Sequence, residues 1–335
     1  MPSKFTYTAI SGVKGAEIST KTGGEWTQRC EAWLKEDCGA EALLTPSCTA
    51  ALEAAVMLSG VTYGDEVILP SFAYPTCASS IIRAGGIPVF VDIKLDTLNI
   101  DPRWVRAAIT NKTKAVMAIW YAGHPEQQEL VEICKERGVK LIEDAAQCIG
   151  NFKLAGDFGA LSFHYSKNIS CGEGGALLVK NEYVEKARTL CACGTNRWQD
   201  KTDWTWKGVG SSYLMSEKLA EILWWKNYDV ERITKQRIVN WRIYHSNINA
   251  EEKAQNAANG HIFWFLSKDR ERLMKEIPSL VKHYEALHLC APAKHGYTHG
   301  TPENSIRAAN EIVRPTMNLS PEETLDLALK IRSLL

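Results

Sequence analysis

The sequence predicts an α/β fold: a mostly parallel, doubly wound central sheet with helices on both faces, followed by a small α+β C-terminal domain. Three observations carry the prediction. From Ala42 to Gln147, apolar runs of strand length alternate with helix-length segments, the spacing of βαβ units. One of those runs, VKLIEDAAQ, ends in Asp144, and open α/β sheets place ligand-binding groups at the carboxyl ends of their strands. Further on, Leu161–Leu178 (LSFHYSKNISCGEGGALL) reads as strand, exposed turn, glycine bend and strand, with Lys167 at its centre.

The first predicted helix is Glu25–Cys38, where Trp26, Cys30, Trp33 and Leu34 fall at helical spacing. A strand begins at Ala42, Thr45–Cys48 turns, and Thr49–Leu58 is helical with Thr49 as its N-cap. Gly64-Asp65-Glu66 turns into the strand VILP, which stops at Pro70. An aromatic-bearing turn with Tyr74 then opens a helix closed by Gly85 and Gly86. Ile87–Ile93 is a buried strand, Pro102 starts a helix, NKTKAVMAIW is a strand, and Gln127–Arg137 is a helix leading into VKLIEDAAQ. Beyond the lysine stretch, Glu182–Cys193 reads as helix and Gly194–Gly210 as an irregular Trp-rich segment. One or two long helices from Tyr213 onward join a large domain (1–225) to a small one (226–335). The small domain reads as a strand at His261–Phe265, a helix at Lys268–Ile277, a strand near Leu280 and a Ser320-capped helix at Pro321–Leu335.

With 39 basic and 39 acidic residues the chain has no net charge, and no basic patch points to nucleic acid or to a membrane surface. The first residues lack a signal-peptide apolar core and no run is long enough to span a bilayer, so a cytoplasmic protein is expected. The ten cysteines include no C-x-x-C pair, so reduced, mostly buried thiols are expected and no metal site.

Spacing alone makes Lys167 a surface-loop lysine. Its company changes that reading. A lysine confined between two core strands is partly desolvated, which favours the free amine that a Schiff-base nucleophile needs. Asp144 lies at a strand end, and LLTPSCTAALEAA runs from strand through a small polar turn into a helix, a geometry that binds anions. Lysine, acid and phosphate-cradling turn are the parts a pyridoxal 5'-phosphate site requires. Asp144 is the candidate partner of the pyridine nitrogen, and Gln147 the candidate for the phenolic side of the ring unless it caps the sheet edge. Tyr74 is either a stacking ring or core filler; Ser47, Thr49 and Ser162, with the Cys48 amide, are candidate phosphate donors.

LLTPSCTAALEAA, GDEVILPSFAYPT, GGIPVFVDI, LNIDP, IEDAAQ and SFHYSKNISCGEGGALL together resemble the DegT-type sugar aminotransferases, a branch of the fold-type I (aspartate aminotransferase-like) pyridoxal phosphate enzymes. The likeness runs from about residue 25 to 245 and resumes at HYEALH (283–288) and NEIVRPTMNLSPEE (310–323). Within that family CGTNRWQ and WKGVGSSYLMSE are most similar to the dTDP-4-amino-4,6-dideoxygalactose transaminases of surface-polysaccharide synthesis. The resemblance implies that Lys167 binds the cofactor aldehyde and shuttles the proton, that Asp144 pairs with the pyridinium, and that Tyr74 stacks on the ring. It gives Gln147 the ring-oxygen side, and Ser47, Cys48, Thr49 and Ser162 the phosphate. Substrate contacts fall to His164, Asn168, His283 and Tyr284. It further implies glutamate as amino donor, a dTDP- or UDP-linked 4-keto-6-deoxyhexose as acceptor, and a homodimer with active sites at its interface.

The sequence departs from that pattern at four places, one of them the loop NFKLAGDFG before the lysine stretch, which is shorter than usual. Leu214 stands at a usual cross-subunit asparagine, with Ser211 or Ser212 as replacements; Trp120 stands at a usual histidine, with His124 nearby; and the small domain is shortened. Competing readings are a 3-keto sugar aminotransferase and a non-catalytic regulatory relative, against which Lys167, Asp144 and Gln147 all speak. A sugar dehydratase on this fold would carry histidine in place of Lys167, and a nicotinamide enzyme would need a G-x-G-x-x-G absent after the first strand.

Overall fold

The computed structural model describes residues 23–125, 128–199 and 205–335. Seven strands come from the first part of the chain: β1 (Glu41–Thr45), β2 (Glu66–Pro70), β3 (Ile87–Val91), β4 (Thr113–Ile119), β5 (Lys140–Asp144), β6 (Phe158–Ser162) and β7 (Gly175–Val179). They lie in the order β1-β7-β6-β5-β4-β2-β3 within an eight-stranded sheet. All run parallel except β7, which is antiparallel to both β1 and β6. The reversal matters for the site. Gly175, which opens β7, pairs with Thr45 at the end of β1 and Ser162 at the end of β6, so all three meet on the edge where Asp144 ends β5.

Alternation along each strand fills both faces, because successive side chains point to opposite sides of a sheet. Leu44, Ile68, Val116, Leu141 and Leu161 pack on one face with helices α1 (Glu25–Cys38) and α5 (Gln128–Arg137), whose Leu34 and Ile133 are fully buried. Leu43, Val67, Ala115, Ile142 and Ala160 face the other way, against α2 (Cys48–Leu58), α3 (Pro75–Arg83) and α6 (Val184–Cys191). Asp144 continues the Ile142 side and points toward α2 and α3, while Glu143 belongs to the opposite face. Between α3 and α5, helix α4 (Pro102–Ala108) starts at its proline behind an Asp101 cap that accepts from the Arg103 amide at 2.9 Å.

Helices α7 (Glu217–Asn227) and α8 (Val230–Asn247) follow α6, and α8 packs on the final helix. A third apolar cluster joins Trp241 and Tyr244 of α8 to Phe263, Phe265, Leu273, Val313 and Ile331, and reaches back to Phe72 and Tyr121. Within it β8 (Phe265–Leu266) pairs antiparallel with β10 (Ile312–Val313), and β9 (Tyr297–Thr298) adds the eighth strand to the large sheet beside β3. Helices α9 (Arg270–Glu276), α10 (Glu303–Glu311) and α11 (Pro321–Leu334) complete the chain, α11 opening on a Ser320–Glu323 capping box.

Four local expectations change. Ser47, not Thr49, caps α2: its Oγ accepts from the Ala50 amide at 3.1 Å and the helix starts one residue early. The strand expected at His261–Phe265 shrinks to Phe265–Leu266, because the His261 amide is already bound by the Asn259 side chain. Near Leu280 there is a single bridge, between Val281 and Arg314. Glu182–Cys193 begins as a 3-10 turn and ends at Cys191, with Cys193 in the left-handed region at φ 61°. Gln127, the expected start of α5, lies outside the described residues, as do residues 200–204 of the Trp-rich segment.

Candidate active site

At the carboxyl edge of the sheet, against its α2 and α3 face, is a cavity of about 600 Å³. Asp144, Lys167, Gln147, Tyr74, Ser47, Cys48, Thr49 and Ser162 all line it. Open α/β sheets bind ligands at this edge because the loops leaving the strands diverge there.

The loop carrying Lys167 is tied at both ends. Phe163 donates its amide to the Gly174 carbonyl at 2.8 Å, Tyr165 to that of Gly172 at 2.9 Å, and Lys167 to that of His164 at 2.9 Å. Gly172 turns the chain with φ 95°, a conformation that L side chains rarely adopt. The amine is thereby held over the cavity rather than in solvent. Burial lowers the proton affinity of Lys167, and the Asp144 carboxylate opposes that shift.

Asp144 ends β5 with a buried carboxyl. Burial raises its pKa, while the Ala146 amide on Oδ1 (3.0 Å), the Cys77 thiol on Oδ2 (3.2 Å) and the Lys167 charge all pull it down. Three residues on, Gln147 is fixed at both ends of its amide. Its Oε1 accepts from the Ala122 amide at 2.7 Å and its Nε2 donates to the Tyr284 hydroxyl at 2.9 Å.

The hydroxyls of Ser47, Thr49 and Ser162 gather where α2 begins, and the first-turn amides of a helix have no partners within it. Gly175 closes the floor of this turn: a Cβ there would lie 2.4 Å from the Cys48 amide nitrogen and from the Ser47 carbonyl carbon. The donor set fits a pyridine ring bearing an aldehyde and a phosphate, since it offers amine, buried acid and anion-binding helix start around one cavity. Tyr74, 53% exposed, stands at its wall with its ring 6.1 Å from that of Tyr284.

Of the residues expected to meet substrate, His164, His283 and Tyr284 line the cavity and Asn168 does not. Asn168 is buried, its Oδ1 on His261 Nδ1 at 2.7 Å and its Nδ2 on the Asn259 carbonyl at 3.1 Å. His164 is bound by Ser166 Oγ at 2.8 Å, and His283 Nδ1 by the Tyr121 hydroxyl at 2.6 Å. Trp120 sits away from the cavity, fully buried, with its Nε1 donating to Glu143 at 3.0 Å. Leu214 lines a separate depression with Thr27, Glu31 and Arg188. Sequence reasoning missed Cys77, Tyr121 and Asn259. Cys77 follows Tyr74 by three residues at the start of α3 and, without lining the cavity, sits behind it on Asp144; the other two carried no signal.

Fold and site together fit one class, the pyridoxal 5'-phosphate-dependent aminotransferases. Residues 9–277 match the DegT/DnrJ/EryC1/StrS aminotransferase family, and the chain belongs to it. Among solved structures it is similar to 3-amino-5-hydroxybenzoic acid synthase, at 25% identity and TM-score 0.84 over 93% of this chain and 90% of that one. The aminotransferase TlmJ from Streptoalloteichus hindustanus is 26% identical, with TM-score 0.84 over 92% of this chain and 90% of that one. The GDP-4-keto-6-deoxy-D-mannose-3-dehydratase of Escherichia coli, with bound hydrated pyridoxal phosphate, shares the fold at 21% identity and TM-score 0.82, over 92% of each chain. No helix among the described residues is long and apolar enough to cross a membrane.

Proposed function

We propose that this sugar aminotransferase moves an amino group from glutamate to the C4 keto group of a dTDP- or UDP-linked 4-keto-6-deoxyhexose, giving a 4-amino-4,6-dideoxy sugar. The observation that carries the reading is that Lys167 and the buried carboxyl of Asp144 line one cavity. Family membership supports the sugar substrate, and the likeness of CGTNRWQ and WKGVGSSYLMSE to the 4-keto transaminases supports C4.

Pyridoxal phosphate, when bound, supplies an electron sink for the carbon that loses its proton. The chain's own residues do the rest. Lys167, whose proton affinity desolvation lowers, would take that proton and return it at the carbon on the other side of the transferred nitrogen, two atoms along, so one amine serves as base and then acid. Asp144 holds the proton on the ring nitrogen; Gln147, fixed by Ala122 and Tyr284, orients toward the ring oxygen. Ser47, Thr49, Ser162 and the Cys48 amide bind the phosphate, and Tyr74 covers a ring face. His164 and His283 border the space left for donor and sugar. The active form is a homodimer with a cavity at each side of its interface, a role suited to the exposed rings of Trp225 and Tyr228 on and beside α7.

Purified protein given pyridoxal phosphate is expected to show an absorbance band that borohydride removes and that Lys167→Ala never forms. Turnover of dTDP- and UDP-4-keto-6-deoxyglucose with glutamate, with the product read by NMR, tests the rest. Amination of a 3-keto isomer beside unreacted 4-keto sugar would overturn the C4 reading.

A further inference from the structure

Two thiols flank the acid at the bottom of the cavity. Cys77, in the first turn of α3 and fully buried, donates its S–H to Asp144 Oδ2 at 3.2 Å; Cys48, at the start of α2, stands 4.0 Å from Oδ1. The Ala146 amide occupies Oδ1 at 3.0 Å, so each carboxylate oxygen has a donor and the plane of the group is set. Among the described residues Cys77 makes the shortest side-chain hydrogen bond to this carboxylate. Burial keeps its sulfur protonated, as a donor must be. A thiol is a weaker donor than a hydroxyl. It can fix the carboxylate while withdrawing little of the charge that a cationic ring nitrogen needs.

We propose that Cys77 is a positioning residue for Asp144: its thiol orients the carboxylate toward the cofactor nitrogen and sets how strongly that nitrogen is held. The inference rests on the reading of Asp144 as the ring-nitrogen partner. Serine at this position would hold the group more tightly and leave it a weaker base. An apolar residue would leave Oδ2 without this donor, the group being held through Oδ1 by the Ala146 amide.

The test compares Cys77→Ser with Cys77→Val. In the unloaded protein the Asp144 carboxyl is titrated by carbon-13 NMR, with Asp144→Asn identifying its resonance. Lys167, Cys48, Cys148 and Tyr284 also face this carboxyl and are unchanged in every variant. Losing the donor moves the Asp144 titration up by about one pH unit in the valine variant, and a stronger donor moves it down in the serine variant. In the loaded protein, cofactor affinity falls about tenfold with valine and returns to within about twofold with serine. Equal titrations in all three proteins, or shifts of both variants in the same direction, would overturn the proposal by leaving Cys77 a packing residue. Should the valine variant not fold, the downward shift in Cys77→Ser decides the matter alone. Failure of wild type to bind cofactor would strike the reading of Asp144, whereas the unloaded titration judges Cys77 separately.

Discussion

The Tyr284 hydroxyl accepts a hydrogen bond from Gln147 Nε2 at 2.9 Å and thereby joins the segment after α9 to the residue three past Asp144. The two parts of the chain that build the cavity are therefore coupled through one side-chain amide. Tyr284→Phe removes the acceptor but keeps the ring, leaving a buried amide hydrogen unsatisfied. Cofactor affinity is expected to fall about tenfold, read by equilibrium dialysis, and the fold to lose about 1–3 kcal/mol for the unpaired amide, while the ring still packs on Phe72 and Tyr121.

Lys167 gives a pH prediction with a definite sign. Burial lowers its pKa below the ordinary 10.5, so the reactive free amine accumulates at lower pH than on an exposed lysine. The rate at which unloaded protein captures pyridoxal phosphate should rise with pH with a midpoint below 10.5. Asp144 works against the shift, so Asp144→Asn should move the midpoint of that rise to lower pH still. A midpoint that stays in place or moves upward in the asparagine variant would show that the Asp144 charge does not hold the proton on Lys167. In linkage terms a lysine whose folded pKa is depressed costs the unloaded fold stability at every pH below that folded value, and the loss is recovered as pH rises from there toward 10.5.

Strand positions were legible in the sequence because they are short apolar runs bounded by turns, and Glu25–Cys38 falls where its periodicity puts it. Asp144 was legible because an acid ending an apolar strand is a strong local signal. Orientation was not. Glu143 and Asp144 are adjacent acids on opposite faces, and only the packed sheet shows which one meets the α2 and α3 face. His261–Phe265 illustrates the same limit, since apolarity reports burial and not strand pairing: the segment is buried but only its last residue joins β8. Asn168 lies one residue past the lysine, yet the turn aims it at His261 instead of the cavity.

Glu143 carries a stability prediction that sets it apart from its neighbour. It is fully buried and accepts from Trp120 Nε1 at 3.0 Å, the Ala155 amide at 3.0 Å and the Gly156 amide at 2.7 Å. Glu143→Gln replaces one of the two acceptor oxygens by an N–H donor, which must face either the Trp120 indole N–H or the two backbone amides, at a cost of about 3 kcal/mol. The midpoint of chemical denaturation should drop accordingly. Asp144→Asn should leave that midpoint close to wild type and abolish turnover, so the pair of variants separates an acid that holds the fold from the acid proposed to serve the chemistry.

Gly175 is where the reversed strand touches the Ser47–Cys48 turn proposed to hold the phosphate, and that contact makes the fourth prediction. A methyl group there would lie 2.4 Å from two backbone atoms, the Cys48 nitrogen and the Ser47 carbonyl carbon, and 2.7 Å from the Ser47 oxygen. Backbone has no rotamer to escape into, so either β7 or the start of α2 must move. Strand β7 is pinned by ladders on both sides, to β1 and to β6, so the lighter adjustment is displacement of the Ser47–Cys48 turn. Gly175→Ala is therefore expected to weaken binding of pyridoxal phosphate more than binding of pyridoxal, which lacks the phosphate. Equal losses for the two ligands would place the damage at the ring and not at the turn.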